Sequence, residues 1–334
     1  MSSTATRATT ADPIYHQPMA ERPGYATGML RYAQDFLDEQ TYHRGRLARA
    51  LAFVAGGGTL AGLRVVHQPS VEASEGGPGE DDDVAARPEE IRVEAGLALD
   101  RLGRLIELPR AACLRVARWF EAERARNGGD GLLQAAYTTP ERFLSARAVA
   151  EAAMPGAVPV PARAVVADVL LRFVACPRGL SPAFAAGPFD ALNAVSVSRL
   201  RDAHELHLVP RAGLDDDFNG LPLRAGATTL PGETEAEALA REAAMDNPAA
   251  NADERRAALQ DAVLHGYARS DDGAPEPGPE HAVGVDPSAV FIARVLIPVD
   301  ASDASVRNGD AVLVDNFARR FLPGAGLLSR WNGL

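Results

Sequence analysis

The sequence predicts an α+β fold: an antiparallel β-sandwich or partly closed barrel with inserted and flanking helices. Three observations predict it. Residues 163–176 (RAVVADVLLRFVAC) are almost continuously apolar, the pattern of a central strand covered on both faces. Residues 91–100 (IRVEAGLALD) alternate, with Ile91, Val93, Ala95, Leu97 and Leu99 pointing one way. Strand-like runs return after position 289, so the C-terminal strands are expected to pair back onto the earlier sheet.

In chain order, residues 1–27 are polar and carry prolines at 13, 18 and 23, which reads as an extended arm that orders against a neighbour. Gly28 to Val54 reads as a helix. Leu30, Ala33, Phe36 and Leu37 start one stripe, and Leu47, Leu51 and Val54 continue it. A bend is expected between Thr41 and Gly45, because glycine weakens a helix interior. Gly56, Gly57 and Gly58 stop the helix. Thr59 to His67 reads as a strand. Residues 70–88 contain three glycines and the run Glu80 to Asp83, and read as a solvated, mobile loop.

The 91–100 strand is expected to turn at Arg101 to Arg104, with Gly103 supplying a positive φ, and to return as Leu105 to Leu108. Arg110 to Arg126 reads as a helix carrying Leu114, Trp119 and Phe120. A second helix is expected from a Thr139 cap with Pro140 at its first position, running to about Ala153. Past the apolar strand, a loop at 177–188 leads to Val195 to Asp202 and then a strand at Glu205 to Val209. Residues 225–269 are rich in Ala and Glu and read as two helices split at Asn247 and Pro248. A second mobile loop at 270–287 precedes strands at Ala289 to Val299, Asp310 to Val314 and Asn316 to Leu322. The organisation is thus an arm (1–27), a core (28–224), a helical insertion (225–270) and returning strands (271–334).

Composition narrows the function classes. Apolar residues make up 46% of the 334, enough for a sizeable core, but aromatics are only 6%, so Leu and Val positions must carry it. A net charge of −11 argues against a nucleic-acid backbone or an anionic membrane as the main partner. Cys113 and Cys176 form neither a disulfide framework nor a zinc cluster, and both read as buried thiols. No apolar run of membrane-spanning length occurs, and the N-terminus is not a secretory signal. The chain is therefore expected to be made in the cytoplasm and to leave a cell, if it does, within a particle.

Motifs that carry chemistry are thin. Gly56-Gly57-Gly58-Thr59 lacks the lysine of a P-loop, and a strand follows where a helix is required. His204 and His207 are three apart, which puts them on opposite faces of a strand. Asp215, Asp216 and Asp217 with Asn219 and Gly220 lack the glutamate of a calcium loop and read as an acidic turn. No catalytic, cofactor-binding or metal-ligating residues are assigned.

Several separated blocks carry a resemblance. They are 36–44 (FLDEQTYHR), 58–65 (GTLAGLRV), 93–100 (VEAGLALD) with Gly103-Arg104, 171–177 (LRFVACP) and 198–206 (SRLRDAHEL), with Asp315-Asn316 and Arg319-Arg320-Phe321 near the end. In order and spacing the chain resembles, over about 28–210, an uncharacterised family of proteins found with phage-tail-like contractile injection systems and related particles. It departs from the pattern in the 70–88 loop and the 225–269 region. The resemblance implies a structural or docking component of such a particle, at a baseplate, fibre or spike attachment, with no enzymatic activity and no cofactor. It implies other particle proteins as partners in a homo- or hetero-oligomer.

Contact residues are expected at Tyr42, His43 and Arg44, anchoring the helix end onto the sheet, and at Arg199, Arg201 and Asp202, ion-paired at an edge. A carbohydrate- or cell-surface-binding module is the alternative, and it needs an exposed aromatic platform. Trp119 reads as buried, and Trp331 stands in the final residues. A hydrolase with an unrecognised site is the third reading.

Overall fold

The computed structural model describes residue 14, residues 21–73 except 31, and residues 85–182, 195–222, 233–247, 249, 251–265 and 277–331. Residues 1–20 of the expected arm, apart from residue 14, lie outside the described residues. So do the acidic centre of the 70–88 loop, part of the 177–188 loop and residues 270–276 of the second loop.

The fold is α+β, and its antiparallel sheets do not close into a barrel. The main sheet is built on β8 (Ala164–Pro182). On one side β8 pairs with β10 (Val290–Pro298), which pairs with β11 (Leu313–Asp315). On its other side β8 pairs first with β7 (Ala136–Tyr137) and then with β9 (Val195–Pro210). The returning C-terminal strand therefore lies beside the apolar strand, as its composition predicts.

Alternation along β8 divides the core. Val165, Ala167, Val169 and Leu171 face the larger cluster, with Ile91, Val93, Ile106, Leu108, Phe120 and Ile292. Ala164 and Val166 face a second cluster with Phe143, Leu144, Leu214 and Leu296. Both faces of β8 are thus covered, and each fully buried aliphatic side chain contributes roughly 1.5–3 kcal/mol.

Two smaller sheets complete the layer. One has the order β1 (Gly58–Gly62), β4 (Gly96–Leu99), β5 (Leu105–Leu108); the other has β2 (Val65–Gln68), β3 (Glu90–Val93), β6 (Ala112–Arg115). Two expectations change here. The 59–67 run is two strands, because Gly62 and buried Leu63 both take positive φ (63° and 56°). The alternating 91–100 run is also two strands, broken at Glu94 and Ala95, and its halves join different sheets. Both breaks lie together: Leu63 N donates to Ala95 O (3.1 Å) and Glu94 N to Arg64 O (2.8 Å). A Cβ on Gly62 would overlap the Ala95 carbonyl, and one on Gly96 the Ala61 carbonyl. Only glycine lets these chains approach so closely.

The helices also differ in detail from the sequence reading. α1 (Ala33–Val54) is continuous, with no bend at Gly45. α2 (Val116–Ala125) starts later than expected because Ala112–Arg115 is β6, and α3 (Asp130–Gln134) follows it. Thr139 makes no side-chain cap. Pro140–Phe143 is a short 3-10 turn, and α4 (Ala146–Ala152) is capped by Ser145, whose side chain accepts from Ala148 N. α5 (Glu235–Asp246) and α6 (Ala252–His265) fall on the two sides of Asn247-Pro248 and pack on each other. Asn316 to Leu322 is not a strand; Phe321 makes a single bridge to Thr59. α7 (Ala325–Trp331) follows it. Cys113 is exposed, Cys176 is half-buried within a strand that continues to Pro182, and Trp119 is half-buried with Nε1 donating to Leu208 O (2.8 Å).

Candidate interaction surface

Buried charges are where catalytic chemistry would gather, so their partners matter first. Arg294 and Asp168 are fully buried on neighbouring strands. Arg294 grips Asp168 through two parallel bonds, Nε to Oδ1 at 2.7 Å and Nη2 to Oδ2 at 3.0 Å. Its remaining donors reach the carbonyls of Phe143, Asn219 and Gly220. Arg211 stands on the other side of Asp168 at 3.2 Å and donates to the carbonyls of Pro279 and Glu280. Burial holds the Arg211 guanidinium below its ordinary pKa, against the attraction of Asp168. The cluster ties β8 and β10 to the 211–220 and 277–281 segments.

A second cluster holds a turn. Asp100 is buried and accepts from the backbone of Leu102 and Arg104 and from Arg104 Nε (2.6 Å). Burial nevertheless pushes the Asp100 carboxyl above its ordinary range, more than Arg104 pulls it down. Arg104 also donates to Ser288 Oγ (2.9 Å), and its guanidinium lies 4.7 Å from the centre of the Phe173 ring.

The third cluster contains the C-terminal resemblance block. Asp315 accepts from Ser145 N (2.6 Å) and Ser145 Oγ (2.9 Å), so it fixes the start of α4. Asn316 pairs with the backbone of Val65 as a strand would, accepting from N (2.9 Å) and donating to O (2.8 Å). Arg319 donates to the carbonyls of Leu63 and Asn316, and burial draws its pKa down to about 10 despite Asp315. Asp100, Gly103, Arg104, Gly62 and Gly96 likewise sit in the resemblance blocks. These residues hold the architecture together.

The open cavities follow the same pattern. A groove of about 900 Å³ runs between β2, α4 and β11, lined by His67, Arg147, Phe317 and Arg319 among others. His67 accepts at Nδ1 from Val312 N (3.3 Å) and donates from Nε2 to Glu89 (2.9 Å), which also accepts from Arg307 (2.7 Å). Asp215 accepts from the backbone of Asp217 and Phe218, an Asx-type turn, and Asp216 pairs with Arg142. Among the described residues no group of three or more His, Cys, Asp or Glu side chains is arranged to hold a metal ion. No described helix is long and apolar enough to cross a membrane.

Two elements present surface of another kind. α1 is 22 residues long, yet Ala48 is its one buried residue. It meets the body at the Gly103 turn, where a Cβ would overlap the Ala48 carbonyl. Phe36, Leu37, Leu47, Phe53 and Val54 are exposed, as are Met29, Leu30 and Tyr32 just ahead of the helix. The close approach at Ala48 lies one turn beyond the expected anchor at Tyr42, His43 and Arg44. His43 is exposed 5.4 Å from the half-buried Tyr42 ring, the Arg46 guanidinium lies 5.7 Å from that ring, and the backbones of Ala48 and Ala52 come closest to the Gly103 turn.

The second element is a β-ribbon. β10 leaves β8 at the Val290–Leu171 pair, whereas the β8–β9 ladder continues to Pro182 opposite Val195. Beyond Arg172 the ribbon is two-stranded for about 35 Å, at roughly 3.3 Å per residue. Its root leans on β5, where His204 Nδ1 is 3.1 Å from Glu107 O. Its outer part exposes Leu180 (71%) and Leu200 (56%). Arg178 stands directly opposite Arg199, and Cys176 opposite Arg201, so these side chains share a face. Asp202 stands opposite Ala175, on the other face. The expected ion pair of Asp202 with Arg199 or Arg201 is thereby corrected, because strand alternation sends them apart. Cys176 and His204 line a groove of about 670 Å³ at the ribbon root, but no hydrogen bond joins them among the described residues.

The six residues singled out in the sequence thus fall on two surfaces, three on α1 and three on the ribbon. Ribbon length was missed because Pro177, Gly179 and Pro182 read as loop residues; on a free two-stranded edge such residues are tolerated.

No family model matches this sequence, and neither a curated protein nor a solved structure is detectably similar to it.

Proposed function

We propose that this chain is a structural or docking component of a phage-tail-like or virus-like particle, engaging its neighbours through α1 and the outer β8–β9 ribbon. The observation that carries the reading is α1. A 22-residue helix with one buried residue and a row of exposed Phe, Leu and Val side chains gains little stability from its own body. Its apolar residues and those of the preceding turn form the kind of patch that marks a protein contact. The ribbon supports the same reading, because a two-stranded extension with two free edges gains order from a neighbour. The buried carboxylates and guanidinium groups are engaged in joining strands and loops, which agrees with a scaffold.

The test is electron microscopy of purified particles with this chain labelled. Label at a fixed, symmetry-related position supports the proposal. Particles that carry no label, from cells that produce the chain, contradict it.

A further inference from the structure

We infer that the basic face of the β8–β9 ribbon docks onto the N-terminal half of α1 in a second copy of this chain. The inference rests on the assembly reading above and names the partner of those surfaces.

Charge is the first argument. The chain carries a net charge of −11, yet Arg178, Arg199 and Arg201 share one ribbon face. None of the three guanidinium groups has a hydrogen bond or ion pair among the described residues. Arg178 directly opposes Arg199, and like charges in that position destabilise a strand pair. An anionic surface brought against this face removes the repulsion, and no described carboxylate of the same copy does so.

The complement lies on α1. Asp35, Asp38 and Glu39 fall within five positions and are interleaved with the exposed Phe36 and Leu37. Gln34 donates to Asp38, and Tyr25 donates to Glu39 (2.6 Å), whose carboxylate also lies 4.0 Å from His43 Nε2. The other half of the helix carries Arg44, Arg46 and Arg49. α1 is therefore segregated by charge: its first half attracts the ribbon and its second half repels it, which fixes the register. The apolar residues match as well, Leu180 and Val197 from the same ribbon face against Leu30, Phe36 and Leu37 from the helix. Since the two surfaces are different elements of one chain, the contact is head-to-tail. Repeated, it closes a ring or extends a filament.

The test is sedimentation velocity over a concentration series on three full-length variants beside the wild type. The first reverses the ribbon (Arg178→Glu, Arg199→Glu, Arg201→Glu). The second reverses the helix (Asp38→Arg, Glu39→Arg). The third combines both sets. All five positions lie on the surface elements, and equal urea midpoints check that folding is intact. The expected result is salt-sensitive self-association of the wild type, weakened by about tenfold or more in each single reversal and recovered in the combination. A wild type that stays monomeric, a ribbon reversal that leaves self-association unchanged, or a combination that fails to recover it each overturns the inference. Loss of binding to an anionic polysaccharide in the ribbon variant, with self-association intact, also overturns it and makes that polymer the occupant. A monomeric chain that is nevertheless present in labelled particles overturns the second-copy partner alone; absence from the particles removes the assembly reading.

Discussion

Arg294 illustrates how single residues carry this fold. It is fully buried, yet every donor has a strong acceptor, two on Asp168 and three on main-chain carbonyls. Arg294→Met leaves Asp168 with Arg211 alone and orphans those carbonyls. Breaking a buried pair from one side costs about 3–5 kcal/mol, so urea unfolding should show a loss of that size. Gly103 is a second pivot, at φ 80° against the Ala48 carbonyl. Gly103→Ala should lower stability by roughly 1 kcal/mol from backbone strain alone, and the overlap should push α1 off the turn, seen as faster proteolysis within residues 33–54. Glu89 sets an acid dependence. Burial raises its pKa, but hydrogen bonds from His67 and Arg307 outweigh that and hold it below the ordinary 4.5. As pH falls the unfolded chain takes up this proton first, so the stability from Glu89 is complete above about 4.5 and is lost through the depressed folded value. Glu89→Gln should be less stable at neutral pH and should lack that part of the acid loss in pH-dependent urea titrations.

At the scale of elements, one carboxylate joins a strand end to a helix start. Asp315 closes β11 and accepts from Ser145 N and Oγ and from Phe317 N. Bonds to a charged acceptor are worth about 1.5–3 kcal/mol each, and water partly replaces those lost. Asp315→Ala should therefore cost about 3 kcal/mol and fray α4, measurable as faster amide exchange at residues 146–152. The central strand was legible from its composition, because a strand covered on both faces has nowhere to place polar groups. The C-terminal return and the α5–α6 split at Asn247-Pro248 were legible for similarly local reasons. The crossover at Gly62–Leu63 and Glu94–Ala95 was not. An alternating run looks the same whether it is one strand or two strands of different sheets, and the cue is a pair of glycines 34 positions apart. The ribbon hid behind prolines and glycines that a buried strand would exclude. Of the candidate contacts, Arg199 and Arg201 fall on an exposed face, while the close approach of α1 at Ala48 and Ala52 carries no signal in the sequence without its partner turn.

At the scale of the molecule, a well-packed three-sheet body carries two elements that gain little from it, the α1 helix and the outer ribbon. In proteins most of a helix's stability comes from packing its apolar face rather than from intrinsic propensity. The order of α1 should then depend on what lies against it, whereas β10 and residues 164–171 of β8 draw their stability from the core. Hydrogen–deuterium exchange of residues 33–54, compared between the free chain and the chain in an assembled particle, measures this directly. The account predicts that β10 and the core part of β8, residues 164–171, are protected in both states and α1 only in the particle. Protection of α1 equal to that of the core strands in the free chain, or no protection of α1 in the particle, would contradict it.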